Sequence, residues 1–166
     1  LVRLGHNFRG SSDTEVVLEA ISEWDILVAV GKLNGMFAFA LWDKQDKRLL
    51  LVTDRLGIKP LYYGWNNGVF LFGSVLKALR ANPSFRPEID RNSLALFLRH
   101  NYIPKPYSIY QGIRKLPGGS ILTMDPGQPL PRISSYWSAR EVAETGFATP
   151  FRGSEAAALQ QLESLL

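Results

Sequence analysis

Among the side chains that could do chemistry, Asp13 holds the strongest position. The stretch SSDTEVVLEA (11–20) places two carboxylates, Asp13 and Glu15, at the start of what reads as a helix. Ser12 followed three residues later by Glu15 is a capping box. The serine oxygen is expected to accept from the N3 amide, and the glutamate to reach back to the amide of the cap itself. Those two residues account for the helix start. Asp13, at the first helical position, meets the positive end of the helix dipole and is left free for the ammonium group of a ligand.

Other groupings carry less. Ser11, Ser12 and His6 lie close in sequence, but no G-x-S-x-G elbow and no acid–histidine pair accompanies them. GIKPLYYG contains a lysine, yet no G-x-x-x-x-G-K-[ST] loop precedes a helix. Asp43, Asp46 and Asp54 could imitate a metal cluster, but the first two bracket a hairpin turn, where aspartate is ordinary. With no cysteine in the chain, disulfides and thiolate ligands are excluded. His6 and His100 lack the i,i+4 spacing of a zinc helix. No catalytic set and no metal site is therefore expected within these residues.

The bulk numbers support one packed domain with the edge of another: 166 residues, 46% hydrophobic and 20% charged. The net charge of +4 is uneven, with two basic and five acidic side chains over 1–30 against eight basic and two acidic over 77–115. No RGG, zinc-knuckle or aromatic RNA-binding motif accompanies the basic middle, so it reads as a solvated face and no nucleic-acid partner is expected. No apolar run approaches the ~18–20 residues that span a bilayer, and no signal peptide is visible. A cytoplasmic location is expected. The chain opens LVRLGHNFRG without a methionine and reads as a piece of a longer one.

The elements that must position Asp13 follow from periodicity. Val16, Val17, Ala20, Ile21 and Trp24 recur at helical spacing and give one apolar stripe. GMFAFALWD (35–43) is apolar on both alternating faces and reads as a strand buried on both sides, with RLLLVTD (48–54) returning beside it. LYYGW (61–65) and VFLFG (69–73) form a second hairpin around Asn67-Gly68, a type I′ signal. SVLKALRAN reads as a short helix. DRNSLALFLRHN reads as another, capped by Asp90, with Leu94, Phe97 and Leu98 as its apolar stripe. The stretch YIPKPYSIYQGIRKLPGG reads as a long loop and SILTMD as a strand. Periodicity then dissolves over 126–153, which reads as a linker, before SEAAALQQLESLL (154–166) opens a fresh helix. The class is α+β: a layered antiparallel-sheet sandwich flanked by helices.

The succession SSDTEVVLEA, LNGMFAFALWD, TDRLGIKPLYYG, YIPKPYSIYQGIRKLPGGS and SYW resembles the glutaminase half of the glutamine-hydrolysing asparagine synthetases. These are class II glutamine amidotransferases with the N-terminal-nucleophile hydrolase fold. The likeness runs from about Gly10 to Trp137, and DRLGIKPLYY after GMFAFALWD is its most specific part. It implies that Asp13 holds the α-ammonium of glutamine, which favours the free amino acid over peptidyl glutamine. It also implies residues 1–125 as the C-terminal part of a glutaminase domain, incomplete at its N-terminus, with 126–153 as linker and 154–166 as the first helix of a synthetase domain.

In that family a cysteine thiolate at the mature N-terminus attacks the side-chain amide, and an acyl-enzyme forms. Ammonia leaves and passes to a site where ATP has adenylated aspartate. The resemblance places that cysteine, the R-H-R-G-P-D stretch that binds the glutamine carboxylate and the N-G-E-I-Y-N oxyanion stretch upstream of Leu1. It places ATP and Mg in a synthetase domain downstream. This chain alone is expected to be inactive, and to dimerise or aggregate through apolar edges.

Three departures stand out: Val52-Thr53 before DRLG, Val75 where a glutamate is common, and Asp25 at an expected helix C-cap that favours glycine. Two alternatives stay open. One is an amidotransferase with another acceptor, sugar-modifying or β-lactam-forming; the other is a non-catalytic binding module of the same fold. A cysteine directly after the initiator methionine of the reading frame would decide against the module.

Overall fold

The computed structural model describes all 166 residues, Leu1–Leu166. After a 3-10 turn at Val2–Leu4, the chain forms α1 (Asp13–Lys32), β1 (Ala38–Asp43), β2 (Arg48–Thr53), β3 (Tyr62–Asn66), β4 (Val69–Gly73) and α2 (Leu76–Arg80). It continues with α3 (Arg91–His100), β5 (Ile113–Lys115), β6 (Ser120–Met124), β7 (Arg132–Ser135), α4 (Ala139–Ala148) and α5 (Glu155–Leu165).

All strand pairs are antiparallel, in one sheet of order β1-β2-β6-β7 and another of order β4-β3-β5. Alternation along β2 shows how the layers stack. Leu51, with Leu122 of β6, packs on Leu61, Tyr63 and Leu116 and fills the space between the two sheets. Leu50 and Val52, with Ile121, point the other way onto Val30 and Ile26 of α1. On the far face of the second sheet, Leu71 and Ile113 pack against Leu79 of α2 and against Phe85. The order is helix, sheet, sheet, helix.

Both hairpins form where the sequence places them, and Asn67 and Gly68 adopt φ 48° and 76° as a type I′ turn requires. Other expectations are corrected. The strand buried on both faces is β2; β1 is an edge strand with Ala40 and Trp42 exposed. The expected loop contains β5, three residues that pair with β3. The supposed stripe on α3 is largely open, with Leu98 74% exposed.

The stretch 126–153 is not irregular either. β7 pairs with β6 from Ser120↔Ser135 to Thr123↔Arg132, and Ser138 caps α4 by accepting from the Glu141 amide at 3.3 Å. Every β7 side chain is exposed, so no apolar alternation marks it. The S-x-x-E spacing of Ser138 and Glu141 was the available signal for α4.

Helix α1 breaks at Asp25, whose φ of 64° and ψ of 172° are not helical. The residue expected at a C-cap acts instead as an N-cap for the second half of the helix: its carboxylate accepts from Leu27 N at 2.7 Å and Val28 N at 3.4 Å. That backbone region is essentially reserved for glycine and costs other residues about 1–3 kcal/mol. An Asp-to-Gly change at a cap costs only a few tenths of a kcal/mol, and the added freedom of the unfolded chain about 0.4–1. Asp25→Gly is therefore expected to stabilise the protein by about 1 kcal/mol, raising Tm by about 2–4 °C. A lowered Tm in a thermal melt would show that the Asp25 cap outweighs the strain.

Candidate functional site

The helix start that delivers Asp13 is tied down differently from a simple capping box. Ser12 Oγ accepts from Thr14 N at 3.3 Å, one residue short of the expected amide. The Glu15 carboxylate reaches past the cap to Arg9 N at 2.9 Å and Gly10 N at 3.0 Å. Glutamate is long enough to span the preceding turn, so it braces the approach to the helix rather than its first residue. Asp13 itself is exposed, and the side-chain hydrogen bonds at this helix start are made by Ser12 and Glu15, not by its carboxylate.

Asp13 lines an open cleft of about 400 Å³ between the first half of α1 and the edge of β1. Nine of its thirteen lining residues are hydrophobic, among them Ile21, Met36 and Phe39, so its few polar groups set its selectivity. Those groups are Asp13, Thr14, Lys59 and Ser74. Asp13 is the only acid. A carboxylate unengaged by the protein, at a helix start beside apolar walls, is suited to hold a cationic head group while the walls take an aliphatic stem.

The other wall depends on Asp54, a residue that sequence reasoning weighed only as a metal ligand. It stands at the end of β2 and is 1% exposed. Its Oδ1 accepts from Ile58 N at 2.9 Å, and its Oδ2 from Lys59 N at 3.0 Å and Phe37 N at 3.2 Å. Burial alone would raise this carboxyl; the amides of Lys59, Ile58, Phe37 and Gly57 outweigh it and hold it below the ordinary carboxylate range. The same carboxylate thus curls the GIKP turn, which brings Lys59 to the cleft, and secures Phe37 at the foot of β1. Its partners lie four and five residues on and across at the foot of β1, beyond the two-residue reach of an Asx-turn, so no local signal marks this aspartate in the sequence.

The remaining motifs gather around this turn. Asp54 O accepts from Gly57 N and Gly119 N, and Tyr136 N donates to Gly119 O. The Tyr136 hydroxyl donates to Thr53 O at 2.7 Å, with a pKa pushed up to about 12 by burial and by the charge of Asp54. Gly118 lies so close that an added Cβ would meet Gly57 N at 2.6 Å, so no larger residue fits there. Lys105 Nζ donates to Gly57 O at 2.8 Å, and Lys115 Nζ donates to Ile103 O. Part of the basic middle of the chain is therefore used to staple loops.

The three aspartates weighed as a metal cluster do not converge. Asp43 Oδ1 accepts from Gln45 N and Asp46 N in the β1–β2 turn, and Asp46 pairs with Arg48, while Asp54 is held as above. No three acid or histidine side chains are grouped as a metal ion would need.

The glutamine amidotransferase domain family model matches residues 1–137. Asparagine synthetase [glutamine-hydrolyzing] 3 of Bacillus subtilis is 36% identical over 142 residues, 85% of this chain and 23% of that protein. The putative asparagine synthetase [glutamine-hydrolyzing] 2 of Methanocaldococcus jannaschii is 34% identical over 128 residues, 76% of this chain and 25% of that one. The chain spans about a quarter of the length of these curated relatives. Among solved structures, glutamine phosphoribosylpyrophosphate amidotransferase from B. subtilis aligns with a TM-score of 0.52 at 18% identity, over 81% of this chain and 25% of that one. The allosteric regulatory enzyme of purine biosynthesis aligns at 0.53 and 18%, over 81% and 24%. At that identity the likeness shows the fold, the α+β sandwich of the N-terminal-nucleophile hydrolase type.

Asp54→Ala would leave the amides of Phe37, Ile58 and Lys59 without their acceptor. At about 1–3 kcal/mol for each well-buried group, and less for partly wetted ones, the expected loss is about 2–4 kcal/mol. Because the folded carboxyl titrates below its unfolded value of about 3.9, its contribution is present above that pH and is lost as pH falls through the lower folded value. Thermal melts from pH 5 to pH 2 should show a steeper fall in Tm for the wild type than for Asp54→Asn. Parallel curves would remove Asp54 as the acid-sensitive tie.

Proposed function

The chain belongs to the glutamine amidotransferase domain family, and on that premise we propose that it forms the glutamine-gripping part of a glutamine-hydrolysing asparagine synthetase. Asp13 holds the α-ammonium of glutamine, and the apolar walls of the cleft take its methylene stem. The observation that carries this reading is a single carboxylate, unpaired within the protein, at a helix start in an otherwise largely apolar cleft. The matched relatives named as asparagine synthetases support the choice of reaction.

In this reading a thiolate attacks the side-chain amide of glutamine, the C–N bond breaks, and ammonia leaves with a proton supplied nearby. Water then releases glutamate from the acyl-enzyme. These 166 residues hold no cysteine, so they do not supply that nucleophile, and alone they carry no glutaminase activity. The ammonia serves an ATP-dependent amidation of aspartate elsewhere in the longer protein. No acid cluster among these residues converges as a magnesium ion would need; in this proposal magnesium and ATP belong to the synthetase domain of the longer protein. No helix is long and apolar enough to cross a membrane; the cytoplasm and a homodimer complete the proposal.

The test is Asp13→Asn in the full-length protein. A charge-assisted hydrogen bond is worth about 1.5–3 kcal/mol, so the glutamine KM should rise about 10- to 100-fold, with ammonia-dependent synthesis near normal. If Asp13 were only a helix-start residue, glutamine KM would not move. Ser12→Ala separates the two roles: it should cost about 1 kcal/mol of stability and leave glutamine KM near its wild-type value.

A further inference from the structure

The half of α1 that carries Asp13 is weakly packed. Of the three buried residues in α1, Ala29 and Val30 lie beyond the break at Asp25, and only Ala20 precedes it. The core cluster beneath the helix takes Val30 and Ile26, both again beyond the break. Val17, Leu18 and Ile21 of the first half line the open cleft. Polar ties do much of what burial does elsewhere.

His6 makes the most unusual of these ties. Its Nδ1 lies 2.7 Å from Glu19 Oε2 and its Nε2 lies 3.1 Å from Glu23 Oε2. Glu19 and Glu23 are one turn apart on α1, where two like charges repel. A neutral imidazole has one N–H and one lone pair, so it can donate to only one of them; the imidazolium donates to both. The two carboxylates sit on opposite ring nitrogens, so they do not converge on one point as metal ligands would. The His6 side chain is only 16% exposed between them. Nearer the helix start, Glu15 accepts from the amides of Arg9 and Gly10. Residues 6–12 are thus held along the helix half that ends at Asp13.

We propose that His6 is a positioning residue: protonated, it ties residues 6–12 to the first half of α1, and its deprotonation loosens the Asp13 end of the cleft. The proposal rests on Asp13 gripping glutamine, but the tie itself can be observed without substrate. Hydrogen bonds donated to Glu19 and then to Glu23 raise the His6 pKa above its ordinary value, and these two glutamates are the charged groups acting on the ring. The tie is therefore complete below about pH 6.5, the unfolded histidine value, and is lost as pH rises through the higher folded one.

NMR titration of this chain should place the His6 midpoint above that of a free histidine, with Glu19→Gln and Glu23→Gln each lowering it. Hydrogen-exchange protection of the Arg9 and Gly10 amides, corrected for intrinsic rates, should fall about 2- to 5-fold through the same midpoint, the scale of a partly exposed ion pair. It should shift with the midpoint in Glu23→Gln and stay flat in His6→Arg, which keeps the positive charge. In the full-length protein, glutamine KM should rise by a similar ~2- to 5-fold over that range, with kcat level; His6→Arg should flatten the profile. A His6 midpoint at or below the free value, or protection that ignores it, overturns the proposal. So does a KM that stays flat while His6 titrates. If Asp13→Asn leaves glutamine KM unchanged, the reading of the site fails, whatever the His6 titration shows.

Discussion

One buried carboxylate is the tie on which the arrangement turns. Asp54 closes β2, pins the GIKP turn through two amides and holds the foot of β1 through a third. Its own carbonyl accepts from Gly119, and through Gly119 the chain reaches Tyr136. Four stretches far apart in sequence meet in this way. A carboxylate suits the task because it accepts several amides at once, and those bonds outweigh the cost of burying its charge.

The two halves of α1 show a contrast in how position is secured. Beyond Asp25 the helix sits on the sheet through Ile26 and Val30, and that half is fixed by the hydrophobic effect. Before Asp25 the helix borders an open cleft and is held by Glu15 and by the pair around His6. Open space beside a helix is what a ligand requires, and it removes the burial that would otherwise hold the helix. Charge-assisted bonds are the available substitute, and they bring sensitivity to pH.

Local chemistry was legible in the sequence; long-range pairing was not. Asn67-Gly68, the Asp90 cap and the start of α1 all rest on contacts within a few residues, and the structure contains each of them. β2 pairs with β6 some 70 residues later, and no local pattern encodes that choice. β7 was hidden because none of its side chains is buried, and β5 because it has only three residues. In the candidate site, Asp13 was visible as a surplus acid beside a complete cap. Asp54 looked like one of three scattered aspartates, since its partners are backbone amides that leave no mark on side-chain identity.

The function proposed for the cleft stands or falls with Asp13 gripping the free ammonium group of an amino acid. The most direct measurement compares L-glutamine with Nα-acetyl-L-glutamine as substrates of the full-length protein, in wild type and in Asp13→Asn. Acetylation should lower kcat/KM at least about tenfold in the wild type, the scale of one charge-assisted hydrogen bond, and the gap should narrow sharply in Asp13→Asn. Equal use of both compounds by the wild type, or a gap unchanged by the substitution, would contradict that role for Asp13.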